Sequence, residues 1–276
     1  MSGKPDRFFP LTVLSCGAAY ASYALSKAVF VLCALVLTVV LAPFPGAGTR
    51  LLRPIIRGWL AFLTRKWLPW LGVYRLVEIQ ATDRLRSAGP LILVANHRSF
   101  IDGLMLLGLA PDTGVLLKAR DARQPTYALA ARSFDVIGVD RNSRASIASA
   151  LERSRALLAA GKRLLVFAEG SRAPSGRLQH FQRIAFQLAL AANAPILPVI
   201  LHSTCPLMAK VPGSLFPRGR NEYRIRFLDL ERPRPDDDAD SLCDRVHRRM
   251  ARELKLLDAG TCWEVRDRNP RPVLAP

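Results

Sequence analysis

The stretch Leu91–Asp102, with the sequence LILVANHRSFID, decides the fold and introduces the first functional residues. Its apolar start runs without interruption to Ala95, which predicts a strand buried on both faces, as in a parallel sheet. Asn96 and His97 follow this strand directly, and Asp102 comes five residues after the histidine. An imidazole beside a carboxylate can take a proton from a hydroxyl at neutral pH, because the carboxylate orients the ring and stabilises its protonated form. His97 and Asp102 are therefore the candidate catalytic pair.

Short apolar runs alternate with longer amphipathic stretches from about Leu76 onward, which is typical of repeated strand-helix units. The predicted fold class is α/β, with a mostly parallel central sheet flanked by helices. The predicted strands are Tyr74–Ile79, Leu91–Ala95, Val115–Ala119, Val136–Val139, Leu164–Ala168, Ile196–Leu201 and Tyr223–Leu228. The predicted helices are Asp102–Leu109, Pro125–Arg132, Arg144–Ala160, Gln182–Asn193 and Asp236–Ala259.

The charge of the chain indicates an anionic partner. Among 276 residues, 40 Lys and Arg outnumber 22 Asp and Glu, which gives a net charge of +18. Nucleic acid and an anionic membrane surface both fit this excess. The sequence has no zinc-finger spacing, no arginine-rich repeat and no aromatic-basic alternation of the ribonucleoprotein type, so we expect a lipid membrane and no nucleic acid.

The five cysteines are scattered and form no Cys-x-x-Cys pair. This pattern predicts neither a disulfide framework nor a zinc site, and it favours a reducing cytosolic setting. The cysteines are Cys16, Cys33, Cys205, Cys243 and Cys262.

An uncharged N-terminal stretch predicts a membrane helix. Ala28–Ala42 alone reaches about 22 Å as a helix, but Ser22–Ala42 reaches about 31 Å, enough for a hydrocarbon core of about 30 Å. A helical hairpin involving Leu11–Ser26, which dips into the membrane without crossing it, and a cleaved signal peptide are the alternatives. Cations follow the stretch and are sparse before it, which predicts a cytoplasmic main domain. These cations are Arg50, Arg53, Arg57, Arg65 and Lys66.

The segment Pro54–Val73 interleaves tryptophans with cations at helical spacing. Such a segment suits the headgroup layer of a membrane, and an amphipathic helix packed on the domain is an equal alternative. In either case it joins an N-terminal anchor, residues 1–73, to a main domain, residues 74–276.

Polar residues follow three of the predicted strands. Besides the first cluster, Arg141 follows the strand Val136–Val139, and Glu169–Arg172 follows the strand Leu164–Ala168. The carboxyl ends of parallel strands share one edge of a sheet, where ligands of open α/β sheets bind. We therefore expect these side chains to form one site.

Four blocks of the sequence resemble the glycerolipid acyltransferases typified by 1-acyl-glycerol-3-phosphate acyltransferase. In this chain they are Asn96-His97-x4-Asp102, Gly138-Val139-Asp140-Arg141, Phe167-Ala168-Glu169-Gly170-Ser171-Arg172 and Ala194-Pro195-Ile196-Leu197-Pro198-Val199. Their order and spacing agree with the family over about Val73–Leu201. Each block is weak evidence by itself, whereas four in order are strong evidence.

The resemblance implies a role for each matched residue. His97 would be the general base that deprotonates an acceptor hydroxyl, and Asp102 would orient it. The hydroxyl would attack an acyl thioester without an enzyme-bound acyl intermediate. Arginine forks suit phosphate oxygens, so Arg141 and Arg172 would hold a phosphate. The implied substrate-binding residues are Asn96, Arg141, Glu169, Gly170, Ser171 and Arg172, and no metal is implied.

The third block departs from the family just downstream. Where members commonly continue Phe-Lys-x-Gly, this chain has Phe181-Gln182-Arg183-Ile184, which lacks both the lysine and the glycine. Arg183 could replace the cation one position along. This departure makes the acceptor less certain than the reaction.

The expected function is transfer of a fatty acyl group to a lysophospholipid hydroxyl, with 1-acyl-sn-glycerol-3-phosphate as the acceptor and phosphatidic acid as the product. The donor would be acyl-CoA or acyl-ACP, a co-substrate, with no cofactor. The expected location is the inner face of the cell membrane, with the catalytic domain in the cytoplasm. Another acceptor such as lyso-ornithine lipid, a non-catalytic membrane-binding module of the same fold, and a basic nucleic-acid binder are the alternatives.

Overall fold

The computed structural model describes residues 9–40, 47–87, 89–110, 112–124, 134–173, 177–210, 214 and 221–263. Within them, seven strands form one sheet in the order β1-β7-β6-β2-β5-β3-β4. Strands β2 to β6 are parallel, whereas β7 is antiparallel to β6 and pairs in parallel with β1. The predicted α/β class and the mostly parallel sheet are confirmed. The strands are β1 Arg75–Gln80, β2 Ile92–Ala95, β3 Thr113–Lys118, β4 Val136–Val139, β5 Arg163–Phe167, β6 Ile196–Ser203 and β7 Glu222–Phe227.

Helices cover both faces of this sheet. The predicted helix Pro125–Arg132 lies outside the described residues, and the two short helices α4 and α6 were not predicted. The helices are α1 Phe9–Val40, α2 Ala47–Phe62, α3 Leu68–Trp70, α4 Thr82–Ser87, α5 Ile101–Leu109, α6 Ala119–Ala122, α7 Arg144–Ala159, α8 Ile184–Ala192 and α9 Ala239–Asp258. A π-helical turn, Leu63–Trp67, joins α2 to α3.

The alternation of side chains along β2 divides the core into two layers. Ile92 and Val94 point toward the layer that contains α7, α8 and α9. Leu93 and Ala95 point toward the opposite layer, which contains α5 and the π-helical turn. All four side chains have no solvent exposure. A strand buried on both faces explains why the sequence here is continuously apolar.

The N-terminal prediction is not supported. The range Ser22–Ala42 lies in one long helix, α1, up to residue 40, so no hairpin turns within Phe9–Val40. No helix in the described parts of the chain has the length and apolarity needed to cross a bilayer. Part of α1 faces protein instead, because Cys16 and Ala19 are buried and Ser22 accepts a hydrogen bond from Trp67 Nε1 at 3.0 Å.

The segment from α2 to α3 is amphipathic and packs on the domain. Its inner side chains belong to the core, while its outer face presents large apolar side chains to solvent. The inner face comprises Ile56, Leu60, Leu63 and Leu68, and the outer face comprises Ile55, Trp59, Phe62 and Trp70. Arg65 and Lys66 are exposed beside the outer face. Packing on the domain therefore leaves a face of the kind that suits a lipid headgroup layer.

The cysteine pattern predicted no disulfide framework and favoured a reducing setting, and a disulfide between two of the cysteines removes the basis of that argument. Cys205 and Cys262 form a disulfide across 57 residues of sequence. The pairing depends on the end of α9 returning to the loop after β6, where Cys262 N donates to Thr204 O at 3.1 Å. Local cysteine spacing contains no sign of such a return.

Asn96 ends β2 by bonding to the neighbouring strand with its side chain. Its Nδ2 donates to Leu201 O at 2.9 Å, and its Oδ1 accepts from Leu201 N at 2.8 Å. Asn96 is completely buried, so the amide replaces the backbone pairing that β2 no longer supplies. The sequence resemblance placed Asn96 at the substrate; the structure places it in the sheet.

Replacing Asn96 should destabilise the fold strongly. Asn96→Ala leaves the buried N–H and C=O of Leu201 without partners, and we expect a loss of about 2–4 kcal/mol in the free energy of unfolding. Urea unfolding would measure this change, with Asn142→Ala, at an exposed asparagine, as the matched control. Equal stability of the two variants would contradict the assignment.

Candidate active site

His97 and Asp102 form a pair at the carboxyl end of β2. His97 Nδ1 lies 3.1 Å from Asp102 Oδ2. A proton on Nδ1 then points at the carboxylate, which leaves Nε2 as the ring nitrogen for a substrate. The His97 side chain is 20% exposed, whereas the Asp102 side chain is only 2% exposed. This arrangement suits a base that reaches solvent and an orienting carboxylate that does not.

The Asp102 carboxylate accepts three further hydrogen bonds. Arg98 N and Ser99 N donate to Oδ2 at 2.8 and 2.7 Å. The Tyr223 hydroxyl donates to Oδ1 at 2.6 Å. Both oxygens of this nearly buried carboxylate thus have hydrogen-bond donors. The turn between strand and helix is built around this one side chain.

The backbone of His97 is fixed by the segment that follows β5. Its N–H donates to Glu169 Oε1 at 2.7 Å, and its carbonyl accepts from Ala173 N at 2.8 Å. The other Glu169 oxygen accepts from Gln179 N at 2.9 Å. The Phe167 ring stacks on the imidazole with centroids 4.1 Å apart. Glu169 was expected among the substrate-binding residues, and the contacts seen here hold the backbone of the base in place.

Burial changes the acidity of Glu169. The residue is 4% exposed, and this burial raises the pKa of its carboxyl to about 7, although the N–H groups of Gln179 and His97 act in the opposite direction. The carboxyl therefore titrates in the neutral range.

The Arg141 side chain extends over Gly170 toward the site. Its Nη2 lies 3.4 Å from Gly170 O, although β4 is separated from β5 by β3. Gly170 has a φ of +68°, and a Cβ on it would lie 1.9 Å from Arg141 Nη2. Glycine is therefore required here for both its conformation and its lack of a side chain. The expected convergence of the strand ends brings Arg141 to the third block.

Arg172 is partly buried beside the same loop. Its Nη1 donates to Met208 O at 2.9 Å, and Phe100 N donates to the same carbonyl at 3.1 Å. The guanidinium thus ties two loops together with one of its nitrogens. Ser171 follows Gly170 in this loop and is half-buried.

Residues 76–202 match the family model described as Acyltransferase. All four sequence blocks, and the paired side chains at the end of β2, lie inside this range. Residues 76–202 of the chain therefore belong to the acyltransferase family.

Two relatives of this chain are named 1-acyl-sn-glycerol-3-phosphate acyltransferase. The chain is 27% identical to a chloroplastic 1-acyl-sn-glycerol-3-phosphate acyltransferase of Brassica napus, over 71% of this chain and 56% of that protein. It is 29% identical to the alpha enzyme of that name from Mus musculus, over 67% of this chain and 68% of that protein. The matches thus span between 56% and 68% of the length of these two relatives.

A solved structure shares the fold of the acyltransferase. The 1-acyl-sn-glycerophosphate acyltransferase PlsC of Thermotoga maritima superimposes with a TM-score of 0.69 at 19% identity. The match covers 90% of this chain and 96% of that one.

Sequence patterns missed a cationic group at the rim of the acyltransferase site. Lys118 ends β3, and its pKa is lowered by partial burial and by the charges of Arg120, Arg141 and Lys210. Cations whose charges lower the pKa of Lys118 are close enough to it to favour an anionic ligand between them. The position of Lys118 at the carboxyl end of a strand was the available signal.

A buried ion pair was also missed. Arg98 lies between His97 and Asp102 in the sequence, and its two terminal nitrogens donate to the Asp258 carboxylate at 2.7 and 2.6 Å. The Trp263 ring covers the guanidinium at 4.6 Å. His202 is completely buried, with Nε2 3.2 Å from Asp258 Oδ1. The end of α9 is thereby attached to the loop of the catalytic pair.

The structure shows the contacts of the two residues, Gln182 and Arg183, at the position where the chain departs from the family block. Arg183, the cation that could replace the missing lysine, pairs with Asp240 at 2.6 Å on the first turn of α9. Gln182 N donates to Ala168 O at 2.7 Å. The charge of Arg183 is therefore partnered within the protein.

Glu169 should give the acyltransferase a stability that falls with pH. The pKa of the carboxyl is near its ordinary value of 4.5 in the unfolded chain and about 7 in the folded protein, so between these pH values the folded protein holds a proton that the unfolded chain releases. The free energy of unfolding should fall by up to about 3 kcal/mol as pH rises through this window.

Glu169→Gln removes the titrating carboxyl and should remove this slope. Urea unfolding of both proteins from about pH 5 to about pH 8 would show it, with Glu152→Gln, at an exposed glutamate, as the control. Parallel stability curves for the wild type and Glu169→Gln would contradict the raised pKa.

Proposed function

We propose that this acyltransferase moves a fatty acyl group from a thioester to the free hydroxyl of 1-acyl-sn-glycerol-3-phosphate, giving phosphatidic acid. The pair of His97 and Asp102 carries the proposal, because it is a base with a fixed orienting carboxylate at the exposed edge of the sheet. The names of the relatives support the acceptor.

The geometry supports direct transfer in one addition and one elimination. His97 Nε2 takes the proton of the acceptor hydroxyl while its oxygen bonds to the thioester carbonyl carbon. The tetrahedral intermediate then expels the thiolate, which recovers the proton from the imidazolium. Asp102 stabilises that imidazolium through Nδ1. No residue of the protein needs to carry the acyl group, because the thioester is already activated.

The acceptor phosphate has a suitable surface nearby. Arg141 lies against Gly170, which is two residues before Arg172 in the sequence, and the charge of Arg141 acts on Lys118. Guanidinium and ammonium groups bind phosphate oxygens through charge-assisted hydrogen bonds. The proposed phosphate site lies among these cations.

The outer face of α2 and α3 supports attachment to a lipid surface. Trp70 is 74% exposed and Ile55 is 62% exposed, beside Arg65 and Lys66. Tryptophan and cations together favour the headgroup layer. We propose the cytoplasmic face of the cell membrane as the location and acyl-CoA or acyl-ACP as the donor, with no cofactor beyond that co-substrate.

Loss of the base should slow transfer strongly. His97→Ala should lower kcat for transfer of a labelled acyl group to 1-acyl-sn-glycerol-3-phosphate by about 10²- to 10⁴-fold, because a positioned general base contributes about that much. His180→Ala, at an exposed histidine, is the control. Undiminished transfer by His97→Ala would overturn the mechanism.

A panel of acceptors tests the substrate itself. Wild-type protein in vesicles receives one labelled acyl thioester and, separately, lysophosphatidic acid, other lysophospholipids and lyso-ornithine lipid. We expect phosphatidic acid as the main product. Labelling of lyso-ornithine lipid alone would replace the proposed acceptor, and no product from any lysolipid would favour a non-catalytic membrane-binding module.

The exposed tryptophans should strengthen vesicle binding. Replacing both Trp59 and Trp70 by alanine should weaken partitioning to anionic vesicles by about tenfold or more, because each indole buries apolar area in the headgroup layer. Sedimentation with vesicles would measure this, with Leu256→Ala, at an exposed leucine of α9, as the control. Unchanged partitioning would argue against this face as the docking surface.

A further inference from the structure

Tyr223 contacts the catalytic pair from a distant part of the chain. It lies in β7, has no solvent exposure, and its hydroxyl donates to Asp102 Oδ1 at 2.6 Å across 121 residues of sequence. None of the four sequence blocks includes it. A buried phenol against a nearly buried carboxylate is an unusual contact for a side chain that only fills the core.

We propose that Tyr223 is a positioning residue for acyl transfer, which holds Asp102 Oδ1 so that Oδ2 faces His97. This inference rests on the proposed function, because it assigns Tyr223 a role in supporting His97, the proposed base. Tyr223 acts through Asp102 and does not reach the substrate.

The distribution of donors on the carboxylate supports this role. Oδ2 lies against His97 Nδ1 and accepts from two backbone N–H groups, those of Arg98 and Ser99. Oδ1 accepts from Tyr223. The two oxygens therefore differ in their partners, and the phenol fixes which one serves the imidazole.

The phenol stays a donor across the working pH range. Burial, together with the nearby charge of Asp102, raises the pKa of Tyr223 well above its ordinary value. Tyr74, whose ring packs on Tyr223 with centroids 5.4 Å apart, acts in the same direction. Tyr223 therefore keeps its proton and remains a donor to Asp102.

The other charges around the pair are fixed by separate contacts. Glu169 accepts from the His97 backbone, and Arg98 is paired with Asp258. Neither contact involves Tyr223. Removing the phenolic hydroxyl therefore changes the charge that Asp102 presents to His97 while these neighbours stay in place.

Tyr223→Phe tests the role with the ring retained. We expect kcat to fall about tenfold with KM nearly unchanged, because a hydrogen bond to a charged positioning group is lost while substrate contacts remain. With one donor fewer, Asp102 should attract the imidazolium more strongly, so the acid limb of the pH profile should move to higher pH.

Tyr74→Phe is the matched control. It also removes a buried hydroxyl, one that donates to Thr64 O rather than to Asp102. We expect lower thermal stability with kcat and the pH profile unchanged. Equal effects of the two substitutions on kcat would mean that Tyr223 is merely structural and would overturn the proposal.

A double-mutant cycle tests whether Tyr223 affects kcat through Asp102. Tyr223→Phe should cost no further kcat in an Asp102→Asn background, because its target carboxylate is gone. Additive losses would show that Tyr223 acts elsewhere and would overturn the proposal.

An NMR titration of the His97 imidazole separates this inference from the proposed function. It requires no substrate, so it remains informative if the acceptor panel yields no product. Tyr223→Phe should raise the titration midpoint of His97, and an unchanged or lowered midpoint would overturn the proposal. If that variant does not fold, 3-fluorotyrosine at position 223 keeps the hydroxyl and donates more strongly, so it should lower the midpoint. No shift there would be equally decisive.

Discussion

The Asp102 carboxylate is the interaction on which the site depends. It accepts from the loop between β2 and α5 through Arg98 N and Ser99 N, contacts His97, and accepts from Tyr223 on β7. One side chain thus sets the path of the loop, the orientation of the base and the distance to β7, which is separated from β2 by β6. A buried carboxylate with so many donors is costly to disturb, because each unpaired group would remain away from water.

Most of the fold follows from local pattern. Each predicted strand overlaps an observed one. The central strand β2 is buried on both faces and continuously apolar, whereas β7 shows the alternation of a strand with one buried face. The short helices α4 and α6 escaped detection, since Thr82–Ser87 and Ala119–Ala122 are too brief to show a helical period. The order of the strands could not be obtained from the same patterns, because it depends on pairings between distant segments.

The site was only partly visible in the sequence for the same reason. His97 and Asp102 are close in the chain, so their spacing shows the pair. Tyr223 lies 121 residues from Asp102, and Asp258 lies 160 residues from Arg98. Such contacts form only when strands and helices meet, and side-chain type alone does not indicate them. Long-range hydrogen bonds hold the base, whereas the local motif identifies it.

The π-helical turn Leu63–Trp67 sets the rotational phase of the segment after it. Leu68 comes twelve residues after Ile56, which in a regular α-helix would rotate it about 120° away from the buried side. One extra residue in the turn reduces this offset to about 20°, so Leu68 faces inward again. Trp70, two residues later, then faces outward. A single inserted residue therefore lets one helical segment pack its inner side chains on the domain and still present an aromatic outer face.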